Sequence, residues 1–226
     1  MKKSKSKAGR RRVYNAEKTR ETILDAAEVS FAEHGFNGVS IDAIAKKAGY
    51  NKSLLFQYFG NKLGLYTEVV KRADAAMSEL LARVVSPLSK TGEIVKDRRA
   101  FKGFLKLLCG TFFDYLMEHP LFMRMLAWEQ AEGWRTYAKI VPRMLTDEDN
   151  LLETIFQKAT KRGVLRSEYP PLIQMSTILQ LCLTHLTFIP LYEIILRDGK
   201  RLRSKDSLSR AKEYVIAFAV GGTIKD

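Results

Sequence analysis

An all-α fold is what this chain of 226 residues predicts, and three observations predict it. Apolar residues recur at helical spacing in segment after segment, no stretch alternates apolar and polar as a strand would, and the breaks fall at Gly, Pro, Ser or Asn, which end or cap helices. A hydrophobic content of 46% is ample for a packed core.

Charge is distributed unevenly. Of the net +13, residues 1–20 carry +8, with nine Lys or Arg against Glu17 alone. That leaves a mildly basic body behind a basic arm, and a polyanion is the natural partner of such an arm: nucleic acid or an anionic membrane surface. Residues 1–16, MKKSKSKAGRRRVYNA, have almost nothing to bury and are expected to be disordered in isolation. No apolar core follows the charges, which argues against a secretory signal.

The first helix is expected from Glu17, with Ile23, Ala26, Ala27, Phe31 and Ala32 on its buried face and Gly35 as its stop. Val39 re-enters the core. Ser40 stands where an N-cap is needed and Asp42 complements the helix dipole, so a second short helix runs from about Ile41 to Ala48. Gly49 permits the left-handed turn, and Asn51 caps a third helix from about Lys52 to Phe59. Together Ser40–Lys62, SIDAIAKKAGYNKSLLFQYFGNK, reads as a helix-turn-helix.

In that third helix Leu55, Tyr58 and Phe59 share one face, directed at Ile23, Phe31 and Ile44, while Lys52, Ser53, Phe56 and Gln57 form the opposite stripe. An aromatic edge beside Lys and Gln suits a major groove, where Phe56 meets a thymine methyl and Gln57 pairs with adenine; partial burial of Phe56 is the other reading. Asn61 caps a fourth helix that begins at Lys62. A lysine there faces the positive end of the dipole, which becomes favourable once a phosphate binds the free amides and the ammonium together; a solvated lysine is the plainer alternative.

On the helix TRETILDAAEVSFAEHGF, the segment VSIDAIAKKAG, the recognition segment YNKSLLFQYF and the closing Asn61-Lys62, the chain resembles the DNA-binding domain of the TetR family of bacterial transcriptional regulators over Thr19–Tyr66. Gly64 departs from the pattern, since the family usually has an acidic residue early in the fourth helix. The resemblance implies phosphate contacts from Ser40, Tyr58 and Lys62. It implies base readout by Lys52, Ser53, Phe56 and Gln57, with Leu54 and Tyr50 flanking; Tyr50 equally suits support of the turn. Arg10, Arg11 and Arg12 in the arm suit an adjacent minor groove, against the plainer readings of a localisation tail or a tag remnant. The domains implied are a basic arm over 1–16, a three-helix DNA-binding domain over 17–62 and a helical effector-binding and dimerisation domain over 63–226.

The fourth helix is expected from Leu63 to about Val85, ended by Ser86-Pro87, with 86–99 as a polar linker. Helices then follow over 100–118, after Pro120 to about Glu132, from Trp134 to Lys161 with a break near Pro142, over 171–196, and over 206–220. The run Leu172–Leu196 is long enough to span a bilayer, but Gln174, Gln180, His185, Pro190 and Glu193 would be costly in lipid, and a helix covered by protein on most of its surface fits better.

The body offers little chemistry. His34, His119 and His185 are far apart, no phosphate loop is present, and Cys182 with His185 is merely a helical i, i+3 pair, so neither a metal, a cofactor nor an enzyme activity is expected. Cys109 and Cys182, distant in sequence and each in an apolar helix, read as small core residues of a reducing cytoplasm, with a disulfide or redox pair as the alternative. Aromatic and Met residues are concentrated between 112 and 144, and most must be core. A subset, Phe112, Phe113, Met125, Trp128, Trp134, Tyr137 and Met144 with His185, is the candidate lining of a site for a small hydrophobic or aromatic effector. Helices 172–196 and 207–220 are the candidate homodimer surface, and two-fold symmetry implies a palindromic operator. The expectation is a cytoplasmic dimeric repressor released from DNA by its effector; a ligand-independent DNA-binding protein whose body only dimerises is the alternative.

Overall fold

The computed structural model describes residues 4–89, 93–95, 97–144, 151–197 and 199–224. Ten α-helices make up the described residues, with no strand beyond a single antiparallel pairing of Leu165 with Ile224. They fall into two compact units: residues 1–74 with 124–142, and residues 75–123 with 143–226.

The first unit contains α1 (Ser4–Gly38), α2 (Ile41–Ala48), α3 (Lys52–Phe59) and the beginning of α4 (Lys62–Ser89). Helical backbone starts at Ser4, inside the segment expected to be unstructured, because its Lys, Arg and Ala are good helix formers that need no core to be compatible with α1. The side chains of residues 4–14, including Arg10, Arg11 and Arg12, lie outside the described residues. Gly35 interrupts α1 with φ 68° and ψ 176°, the stop expected of it. Ile23, Leu24, Ala27, Phe31, Ile44, Leu55, Leu65 and Tyr66 are all buried, so α1–α4 share one core. Arg72 on α4 reaches back to Asp25 (2.7 Å), Glu21 (3.3 Å) and Glu28 on α1. Burial opposes its charge, yet the hydrogen bonds to Asp25 and Glu28 hold this guanidinium above its ordinary pKa.

α4 continues to Ser89, past the Ser86-Pro87 stop expected from sequence, so the polar connection is shorter than 86–99. A 3-10 turn at Glu93–Val95 leads to α5 (Arg98–Glu118), N-capped by Asp97, whose side chain accepts from the Ala100 amide at 2.8 Å. α6 (Pro120–Ala131) occupies the segment expected after Pro120, while the short α7 (Tyr137–Ile140) and α8 (Leu151–Lys161) stand in place of the expected helix from Trp134: turns occupy 132–136 and a 3-10 turn covers Val141–Arg143. Gly133 (φ 71°) and Trp134 (φ 61°) are left-handed there, which ends α6 and prevents a continuous helix.

α9 (Pro171–Leu196) and α10 (Lys205–Thr223) pack with α5 in the second unit, and α8 packs on α9. α9 is the one helix among the described residues long and apolar enough to cross a membrane. Within one chain, protein covers only part of α9 and leaves exposed apolar residues on the helix expected to dimerise. Gln174, Ile178, Cys182, Leu186 and Ile189, at three- and four-residue spacing, form a single buried stripe, while Leu172, Ile173, Phe188, Leu191, Tyr192, Ile194, Ile195 and Leu196 are exposed. On α10, Val215, Ala219 and Val220 are buried while Tyr214 and Phe218 are exposed. Lys212 of α10 lies 2.5 Å from Asp114 of α5.

Candidate nucleic-acid interface

Local chemistry sets each end of the two short helices. Ser40 is extended (φ −99°, ψ 154°), and its hydroxyl accepts from the Ala43 amide at 3.1 Å. Gly49 (φ 76°, ψ 23°) closes α2 by donating its amide toward the Ala45 and Lys46 carbonyls. Asn51 repeats the Ser40 device, accepting from the Leu54 amide at 2.8 Å, and each such cap is worth about 1 kcal/mol. Gly60 (φ 73°) donates to the Phe56 carbonyl at 2.8 Å, and Asn61 then caps α4 by accepting from the Gly64 amide at 2.8 Å.

Those caps fix the rotation of α3. Leu55 and Phe59, 1% and 8% exposed, are its inward anchors, contributing roughly 1.5–3 kcal/mol each. Arg20 of α1 packs its guanidinium 5.7 Å from the Phe59 ring centroid and bonds Glu68 of α4, tying three helices together. Lys52, Ser53, Phe56 and Gln57 all point outward, at the i, i+1, i+4 and i+5 positions of one stripe. Phe56 is 40% exposed, so it is a surface aromatic and not a core residue.

The remaining candidates are placed with more structure around them. Lys52 pairs with Asp42 of α2 at 2.8 Å and sits 5.8 Å from the Phe56 centroid, both charges remaining exposed. Tyr58 is half-buried and donates its hydroxyl to the Ala16 carbonyl of α1 at 3.2 Å. Tyr50, also half-buried, brings its hydroxyl within 3.4 Å of the Thr19 hydroxyl, which gives it a role in holding the turn against α1. Leu54 is half-buried between the two faces. Lys62 lies with its ammonium 4.7 Å over the Phe36 ring; burial lowers its pKa, and the nearby Glu132 partly opposes that shift.

The segment 124–142 completes this unit and was not legible as part of it. The Trp128 ring lies against Gly35, where a β-carbon would come within 3.1 Å of it, and its indole N–H donates to the Ala32 carbonyl at 3.2 Å. Glu129, 2% exposed, accepts from the Tyr66 hydroxyl at 2.8 Å and from the Tyr137 amide at 3.1 Å. Burial, followed by the bond to Glu129, pushes the Tyr66 phenol well above its ordinary pKa. Glu132 accepts from the Asn37 side chain at 2.7 Å.

The eight effector-site candidates divide between the two units. Met125, Trp128, Trp134 and Tyr137 belong to the first, where the Trp134 and Tyr137 rings are edge-on at 5.6 Å. Phe112, Phe113, Met144 and His185 belong to the second, where Phe113 and His185 are 6.3 Å apart. The second unit also contains a cavity of about 240 Å³ between α9 and α10, lined by Ile173, Gln174, Thr177, Phe218, Ala219 and Gly222 among others, and by none of the eight. The side-chain oxygen of Gln174 there has no hydrogen-bond partner among the described residues, its amide nitrogen donating to the Arg166 and Tyr169 carbonyls.

Known proteins share both the sequence and the shape. Residues 23–69 match the model of bacterial regulatory proteins of the tetR family, and residues 103–218 match a tetracyclin repressor-like C-terminal domain. The HTH-type transcriptional repressor NicS of Pseudomonas putida is 26% identical over 176 residues, covering 77% of this chain and 73% of the relative. The HTH-type transcriptional repressor SCO4008 of Streptomyces coelicolor is 34% identical over 118 residues, 51% of this chain and 52% of its own length. Among solved structures, the hemolysin II transcriptional regulator HlyIIR superposes with a TM-score of 0.59 at 25% identity, over 88% of this chain and 97% of that one. With a capped helix-turn-helix at its head and a matched C-terminal domain over half its length, the chain belongs to the TetR family of bacterial transcriptional regulators.

Proposed function

We propose that this regulator binds a palindromic operator as a homodimer, represses transcription there, and leaves when a small hydrophobic or aromatic effector binds its helical body. The observation that carries the DNA-binding part is the outward stripe Lys52, Ser53, Phe56 and Gln57 on a helix capped at both ends and anchored by Leu55 and Phe59. Gln57 reads an adenine, Phe56 a thymine methyl, and Lys52 and Ser53 neighbouring base edges, with Leu54 and Tyr50 at the margin. Lys52 must open its exposed pair with Asp42 to do so, which costs about 1 kcal/mol or less.

Ser40, Tyr58 and Lys62 grip the backbone, and the arm with Arg10, Arg11 and Arg12 adds minor-groove contacts. A tyrosine hydroxyl has one proton to give, so Tyr58 contacts phosphate by exchanging the Ala16 carbonyl for a phosphate oxygen. Lys62 reaches phosphate from its seat over Phe36.

Dimerisation is supported by the exposed apolar residues of α9 and α10, a surface larger than isolated apolar side chains on a monomer would make. The cavity between α9 and α10 lies among those exposed residues, Ile173 and Phe218 both lining it. A cytoplasmic location follows from the family. Footprinting on duplexes from around the regulator's own gene tests the reading: two protected half-sites about one helical turn apart are expected, with protection lost on adding an apolar ligand. A single unsymmetrical footprint contradicts the dimer, and indifference to a broad ligand panel favours the ligand-independent alternative.

A further inference from the structure

Cys109 and Cys182 are separated by 73 positions in the chain, yet their sulfur atoms are 3.6 Å apart, in van der Waals contact across the packed pair α5 and α9. Neither residue is exposed at all, and the Cys182 sulfur also lies 3.8 Å from the Cys109 carbonyl. Two thiols in contact, with no disulfide between them, are one oxidation away from being joined. The sulfurs need close by only about 1.5 Å to reach bonding distance.

We infer that Cys109 and Cys182 form a redox-active dithiol that a small hydroperoxide converts into an intrachain disulfide clipping α5 to α9. The inference stands on the second unit alone and does not depend on the operator or effector reading. In the first step the Cys109 sulfur attacks the peroxide, breaking the O–O bond; Cys109 becomes a sulfenic acid and the peroxide leaves as an alcohol or water. In the second, the Cys182 thiol attacks the Cys109 sulfur and water departs with the thiol proton and the sulfenic oxygen. Two thiols lose two electrons, the peroxide gains them, and no other reductant or oxidant is needed.

The surroundings assign the order of the two sulfurs. The hydrogen bond between the two thiols, in which either sulfur can donate, holds the Cys109 thiol below its ordinary pKa against the effect of burial, and the Lys212 ammonium, itself paired with Asp114, adds to this. Cys182 is displaced upward by the same bond and by burial. Gly110 makes the approach of Lys212 feasible, because a β-carbon there would come within 3.2 Å of the lysine Cε. Cys109 is therefore the attacking sulfur and Cys182 the resolving one. Burial confines the reaction to small oxidants, and to moments when α5 and α9 separate locally.

Full-length protein treated with a slight excess of hydrogen peroxide, then denatured and assayed for thiols, tests this directly. The expected result is loss of both thiols, a mass decrease of two hydrogens, a cross-linked peptide joining Cys109 to Cys182, no covalent dimer on a non-reducing gel, and recovery with dithiothreitol. In C182S, Cys109 is expected to stop at a sulfenic acid that dimedone traps. Retention of both thiols, independent over-oxidation of each cysteine with mass gain, or disulfides only between chains would overturn the inference. The wild-type mass and thiol count decide the matter even if C182S fails to fold.

Discussion

The bond from Tyr66 to Glu129 lets the contribution of the 124–142 segment be measured on its own. In Tyr66→Phe the ring keeps its edge-on contacts with Phe31 (4.8 Å between centroids) and Phe36 (5.2 Å), so only the hydroxyl is lost. What remains is a carboxylate oxygen of a residue 2% exposed, without the donor that stood 2.8 Å away. A hydrogen bond to a charged acceptor in such a place is worth about 1.5–3 kcal/mol, a fall of roughly 10- to 150-fold in the folded-to-unfolded ratio. Urea unfolding at fixed protein concentration reads this as a lower midpoint at unchanged slope. Tyr58→Phe is the control: its hydroxyl bonds the Ala16 carbonyl at an exposed site, and a loss of about 0.5 kcal/mol or less is expected.

Glu129→Gln should not behave as a conservative change. Glu129 accepts on one oxygen from Tyr66 and on the other from the Tyr137 amide, and a glutamine offers only one acceptor. The double variant Tyr66→Phe with Glu129→Gln is therefore expected to lose less than the sum of the two single losses. The raised Tyr66 pKa adds a signature in alkali. Stability from this proton is fully present below the unfolded value near pH 10 and is lost as the pH rises beyond it, so Tyr66→Phe should flatten that decline. A loss under about 0.5 kcal/mol for Tyr66→Phe, equal to the Tyr58 control, refutes the claim that this buried pair holds the unit together.

Two further outcomes follow from single residues. Gly64→Ala, ordinarily a stabilising change inside a helix, is expected to cost roughly 1–3 kcal/mol in the same unfolding assay, because its β-carbon would fall 2.0 Å from the Phe59 carbonyl oxygen. His185, whose pKa burial lowers, leaves the folded state binding fewer protons than the unfolded one; thermal stability should fall as pH drops below about 6.5, and His185→Gln should reduce that slope.

What could be read in the sequence was what neighbouring residues decide among themselves. Ser40, Gly49, Asn51 and Gly60 act within three or four positions of themselves, and Leu55 and Phe59 declare an inward face by their spacing, so the recognition helix and its exposed stripe were legible. Gly64 was legible only as a departure from a pattern; the Phe59 carbonyl beside it supplies the reason for a residue without a side chain. Pairings between distant positions carried no local signal. Tyr66 with Glu129 spans 63 positions, Cys109 with Cys182 spans 73, and Lys212 with Asp114 spans 98. The same limit hid the membership of 124–142 in the first unit, and it left unstated which stripe of α9 its own chain would bury.

The outward face of α3 is proposed to read bases while Lys62 grips phosphate, and one paired titration separates the two roles. Binding of wild type, Lys62→Ala and Gln57→Ala is measured on the best operator duplex and on single-base variants of it, across a range of salt. Lys62→Ala is expected to weaken every duplex alike and to reduce the log-log salt slope by about one unit. Gln57→Ala is expected to keep the slope and to lose roughly 1–3 kcal/mol on the best duplex through preference at one base pair per half-site. If Gln57→Ala instead lowers the slope and leaves base preference intact, or if the two variants cannot be told apart, the division between reading and gripping is wrong.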